Sequence, residues 1–121
     1  MKVRPVLWLE DTEAGWEAFR YARELAALRG VELVVVCPQG LVDRVRSEAE
    51  AAGAGVEVRV SPEAEGVVSL LRAAEEEGGE IVVAAHRTPT GKVVLGDRVT
   101  TVLLNAPGPV VVFKPQRKVG G

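Results

Sequence analysis

One cysteine (Cys37), one histidine (His86) and one methionine occur in 121 residues. A lone cysteine excludes an intramolecular disulfide and fits a reducing, cytoplasmic compartment. A lone histidine leaves any metal site without a second imidazole, so no metal is expected. Aromatic residues make up 4% of the chain. Trp8 and Trp16 are therefore read as core or helix-packing residues, not base-stacking platforms. Long apolar runs are missing: the longest are strand-length, which excludes a membrane-spanning helix, and the run after Met1-Lys2-Val3-Arg4-Pro5 is too short for a signal peptide. Charge of one sign is missing too. A net charge of −2 gives no pull towards nucleic acid or an anionic membrane. Asn and Gln are rare beside abundant Arg, Glu and Val, a bias that thermophilic sources and GC-rich coding both produce.

What is present is a globular composition, 47% hydrophobic and 26% charged. The length fits a single domain, expected over 1–114, with 115–121 as a loose polar tail. The run from Val3 to Leu9 reads as a strand buried on both faces, with Pro5 near its start. Asp11 or Thr12 can cap the helix that follows to about Arg29, where Gly30 closes it. Its apolar stripe is Ala18, Ala22, Leu25 and Ala26, with Trp16 and Phe19 beside it. A second buried strand ends at Cys37, and Pro38-Gln39-Gly40 breaks the chain. A helix over about 41–52 then precedes the alternating strand Val56-Glu57-Val58-Arg59-Val60, read as a half-covered edge. Ser61-Pro62-Glu63 predicts a helix start with Ser61 as cap, and Val67, Val68, Leu71 and Ala74 turned inward. Strands alternating with helices predict an α/β doubly wound fold, with parallel pairing and helices on both faces.

The stretch 80–114 is the one the rest positions. It reads as a buried strand to Ala85, a polar loop through His86-Arg87-Thr88-Pro89-Thr90-Gly91-Lys92, a short helix and a final strand Val110-Val111-Val112-Phe113. The loop leaves the carboxyl end of a parallel strand, where open α/β sheets place ligands. The loops after the first two strands, at 10–12 and 37–39, should meet it there. Gly91-Lys92 lacks the Ser/Thr and upstream glycine of a phosphate-binding P-loop, because Val93 follows. His86 is read as a loop residue and Cys37 as packing; no catalytic residue is assigned. Asp97 has a plainer role open to it as the cap of the last helix, with Arg87 and Lys92 as a solvated loop face.

Leu95-Gly96 and Ala106-Pro107-Gly108-Pro109-Val110-Val111-Val112 resemble the C-terminal third of the universal stress protein family, and the likeness extends over the whole chain. The resemblance implies a five-stranded parallel sheet in the order 3-2-1-4-5 with four helices, the adenine-nucleotide α-hydrolase-like arrangement. It also implies ATP held at the junction of the three loops in many members. Carried over residue by residue, the family's acid falls on Glu10 and the residue a nucleoside packs on falls around Pro38. The loop glycines fall on Ala84, near Arg87 and on Gly96. Asp97 stands where the family has a hydroxyl for a phosphate, and Gly91 is a candidate to replace a missing glycine. These departures remove most of the phosphate contacts. The expectation is a stress-response regulatory or binding protein with absent or weak ATP binding and no enzymatic activity beyond slow ATP hydrolysis. An ATP-binding member with a modified loop is the alternative. The family also implies a homodimer through Val110, Val111, Val112 and Phe113. Glu10-Asp11 and Lys114-Pro115 also resemble a receiver domain, which keeps a receiver-like adaptor as a further alternative, but no phosphoacceptor Asp follows the third strand.

Overall fold

The computed structural model describes residues 3–115. Among them the chain alternates between strand and helix except after the fourth strand, where two short strands follow before the last helix. The order is β1 (Val6–Trp8), α1 (Glu13–Arg29), β2 (Leu33–Cys37), α2 (Val42–Ala51), β3 (Val56–Val60), α3 (Gly66–Glu77), β4 (Ile81–Ala84), β5 (His86–Arg87), β6 (Val93–Val94), α4 (Asp97–Asn105) and β7 (Val110–Phe113). Five strands form one sheet in the order β3-β2-β1-β4-β7, and all of its pairings are parallel. This is the 3-2-1-4-5 order expected from the sequence, with β7 as the fifth strand. The remaining two strands are an addition: β5 and β6 pair antiparallel, His86 opposite Val94 and Arg87 opposite Val93. The polar loop after β4 is therefore a small hairpin and not an open glycine loop.

Strand alternation divides the core. Leu7, Leu33, Val35 and Val82 pack with Trp16, Phe19, Ala22 and Val45 on the face covered by α1 and α2. Val6, Trp8, Val34, Val36, Ile81 and Val83 pack with Leu70, Ala74, Val99 and Val102 under α3 and α4. Burial on both faces is what the near-continuous apolar strands require.

Local signals set most boundaries. Thr12 is the cap of α1: its hydroxyl accepts from Gly15 N at 3.0 Å. Gly30 ends that helix with φ 68°, its amide donating back to the Ala26 and Ala27 carbonyls. Ser61 departs from the expectation. Its hydroxyl lies 2.7 Å from Ser69 Oγ and donates to the Pro62 carbonyl, and a single 3-10 turn over Glu63–Glu65 intervenes before α3. Along α3 the residues Gly66, Leu70, Ala73 and Ala74 are buried, Val67 and Leu71 pack half-buried against the same core, and Val68, expected inward, is exposed. Of the residues expected in the tail, 116–121 lie outside the described residues, and the Pro115 carbonyl accepts from Arg87 Nε at 2.8 Å.

The two sheet edges differ. On β3, Arg59 binds Glu57, Glu76 and Glu77, each at 2.7 Å, and Arg4 reaches Glu57 and Glu77 at 3.0 and 2.7 Å. The β7 edge is Val-Val-Val-Phe, half-buried throughout. Ile81 N donates to Pro109 O and Ala85 N to Phe113 O, so the inward ladder uses odd-numbered β7 residues. By alternation, the Val110 and Val112 backbones face the free edge.

Candidate functional site

The carboxyl ends of β1, β2 and β3 and the start of α4 surround a cleft of about 710 Å³. Glu10, Asp11 and Thr12 come from the loop after β1, Pro38 and Gly40 from the loop after β2, Glu63 from the loop after β3, and Gly96, Asp97 and Arg98 from the entry to α4. The volume suits a small organic ligand, and the position is the switch point of the sheet, where the order turns from β2-β1 to β4.

Four carboxylates line the cleft (Glu10, Asp11, Glu63 and Asp97) against one guanidinium, Arg98. Two of the acids already have partners. Glu10 Oε2 stands 3.0 Å from His86 Nε2, and Asp11 Oδ1 accepts from Trp16 Nε1 at 3.0 Å. The first contact ties the hairpin to the end of β1; the second fixes the β1–α1 turn to the core. Gly15 keeps that turn tight, since a Cβ there would meet the Glu10 carbonyl oxygen at 2.0 Å. Asp97 is the first residue of α4. It is not the cap: Gly96 holds that place and supplies no side chain. Arg98 is exposed and has no ion pair or hydrogen bond among the described residues. No group of three or more His, Cys, Asp or Glu among the described residues is arranged to hold a metal ion.

Glu10, Pro38, Gly96 and Asp97 thus converge on the cleft, while Ala84, Arg87 and Gly91 are not in its lining. Ala84 is buried at the end of β4 in the α1–α2 core. Arg87 is committed to two carbonyls, Pro115 O and Gly91 O, each at 2.8 Å. Gly91 forms the hairpin turn at φ 87°, its amide donating to Thr88 O. The Thr88 and Thr90 hydroxyls bond to each other at 2.9 Å. Trp8, Glu63, Arg98 and the His86–Glu10 contact were not read from the sequence. Glu63 was within reach, because an acid just past β3 must fall on the same sheet edge as Glu10. Cys37, at the end of β2, is fully buried, and burial pushes its thiol up from 9.0 to about 11. It is therefore packing and not a thiolate nucleophile.

Several solved structures superpose over nearly the entire chain. A universal stress protein from Archaeoglobus fulgidus matches with a TM-score of 0.79 at 24% identity, over 94% of this chain and 100% of that one. This chain has the universal stress protein fold. The Archaeoglobus fulgidus protein in complex with dAMP matches with a TM-score of 0.73 at 21% identity, over 93% of this chain and 98% of that one. A universal stress protein in complex with cAMP matches at 0.66 and 23% identity, over 93% and 97%. No protein-family model matches this chain, and no curated protein matches it in sequence. Among the described residues no helix is long and apolar enough to cross a membrane.

Proposed function

We propose that this chain is a stress-linked regulatory or binding protein of the universal stress protein type, whose cleft holds Mg-ATP weakly or not at all. The observation that carries this reading is the charge of the cleft: Glu10, Asp11, Glu63 and Asp97 face Arg98 alone. The N-terminal turn of a helix attracts anions through its free amides. Here Asp97 places a carboxylate on that turn of α4. A triphosphate would meet like charge at the place that should stabilise it, and like-charge juxtaposition costs several kcal/mol, by rough estimate. The likeness to folds solved with dAMP and cAMP supports a small nucleoside-type ligand for this cleft. The test is Asp97→Ser: with a hydroxyl in place of the carboxylate, Mg-ATP affinity measured by calorimetry should rise by at least ~tenfold. Equal affinities in the two proteins would remove Asp97 from the explanation.

The reading includes a homodimer through β7. An apolar edge strand with free backbone groups needs cover. Val110 and Val112 present such groups, whereas β3 carries the charged side chains of Glu57 and Arg59, which disfavour edge pairing.

A further inference from the structure

We propose that the groove between β3 and α3 holds a small tetrahedral oxyanion of the phosphate class, on the Arg72 guanidinium and the Ser69 hydroxyl. The groove shares no lining residue with the acidic cleft, so its occupancy is independent of the function proposed for that cleft.

The groove follows from the topology. β3 is an edge strand, and α3 packs over β1 and β2. The α3 side of β3 is left open. Val56 and Val58 pack into the opposite core, so alternation turns Arg59 to the open side. Between Arg59 and α3 lies a cavity of about 180 Å³, floored by the buried Val36 and Ala73 and edged by Ser61, Ser69, Arg72 and Glu76. A water molecule takes about 30 Å³, so the space suits an ion with a few waters. It is smaller than the ~300 Å³ at which pockets for larger organic ligands begin.

Charge sets the ligand class. Two guanidinium groups and one carboxylate line the cavity. Arg59 is held in place by Glu57, Glu76 and Glu77 and keeps two of its five N–H groups unbonded. Arg72 is exposed and has no hydrogen bond or ion pair among the described residues. Glu76, four residues on, is placed to pair with it, but its carboxylate accepts from Arg59 Nη1 at 2.7 Å. The Arg72 charge is thus uncompensated. Ser69 lies three residues before Arg72 on the same helix face. Its Oγ is 2.7 Å from that of Ser61, which is 3% exposed and donates to the Pro62 carbonyl. Turning the Ser69 proton to an anion exchanges one neutral hydrogen bond for a charge-assisted one, roughly twice as strong. Donors then approach from two elements, Arg59 on β3 and Ser69 and Arg72 on α3. That suits the several acceptor oxygens of a tetrahedral anion better than the two of a planar carboxylate.

The experiment titrates the ¹⁵N-labelled full chain with sodium phosphate, against sodium chloride at matched ionic strength, and follows the arginine Nε–H and backbone amide signals. Arg72→Gln and Arg98→Gln assign the two side-chain signals. Phosphate should move the Arg72 signal and the amides of Ser61 and Ser69, saturate with a dissociation constant on the order of 1 mM, and leave Arg98 in place. Arg72→Gln, at an exposed position, should weaken binding at least ~fivefold. Glu76→Gln should act in the opposite sense and tighten it about two- to fivefold, because it removes the carboxylate that faces the anion. Acetate should bind more weakly than phosphate. Shifts that chloride reproduces, or that rise without saturating, would overturn the site. So would equal affinity in Arg72→Gln, or saturation at Arg98 alone, which would put the anion in the cleft. Acetate binding as tightly as phosphate would overturn the tetrahedral class and make the groove a seat for an acidic side chain.

Discussion

At Asp97 a carboxylate occupies the first turn of α4 and faces a cleft that already holds Glu10, Asp11 and Glu63. One residue further on, Arg98 supplies the lining's guanidinium. The chemistry of the site is thus set by single positions, and so is the chemistry it lacks. Cys37 shows the second point. Burial raises its thiol from 9.0 to about 11, so the folded state keeps the proton after the unfolded chain has lost it. The sign follows: this group's contribution to stability is present below about pH 9 and declines as pH rises towards 11. The expected outcome at pH 8 is negligible alkylation of native Cys37 by iodoacetamide and rapid alkylation in denaturant, measured by mass spectrometry. Fast labelling of the native protein would show that the end of β2 opens readily.

Among elements, the edge of β3 depends most on charge. The Arg59 guanidinium, through its hydrogen bond to Glu57, holds that carboxyl below the ordinary 4.5, and Arg4 does the same for Glu77. A depressed carboxylate stabilises the fold above its unfolded value and loses that contribution as pH falls through the folded one. Stability should therefore fall with acid below about pH 4.5. Arg59→Gln should lower the melting temperature near neutrality and flatten that acid limb, as followed by circular dichroism across pH. An unchanged limb would mean that these partly exposed pairs are screened by solvent. Element boundaries were legible where a local signal governed them. Thr12, Gly30 and the alternation of β3 each set a terminus unaided. Ser61 misled because its hydroxyl found Ser69 across the turn, a tertiary contact with no sequence signature. The hairpin of β5 and β6 was hidden for a similar reason: it depends on Arg87 bridging Gly91 and Pro115, which are distant in sequence or spaced as any loop would be.

For the molecule as a whole, the doubly wound order was legible from alternating strands and helices, and it carried with it the location of the cleft. Four of the seven nucleotide-site residues expected from the sequence do line that cleft: Glu10, Pro38, Gly96 and Asp97. Topology places loop ends but not side-chain directions: Ala84 ends β4 with its side chain in the core, and Arg87 and Gly91 are taken up by the β5–β6 hairpin, so these three do not line the cleft. The same topology leaves β7 at an edge. Val112→Pro removes an outward-facing amide while sparing the inward ladder to β4, because the residues bonded to β4 are Pro109 and Phe113. The native protein is expected to sediment as a dimer at tens of micromolar and the variant as a monomer. A native monomer at that concentration would leave the β7 edge without the role proposed for it.

The proposed function requires the acidic cleft to disfavour a triphosphate. Its most direct test is calorimetric titration of Mg-ATP into ligand-stripped native protein. The expected outcome is no binding in the low-micromolar range; a low-micromolar dissociation constant would contradict the proposed function and establish the modified loop as a working ATP site.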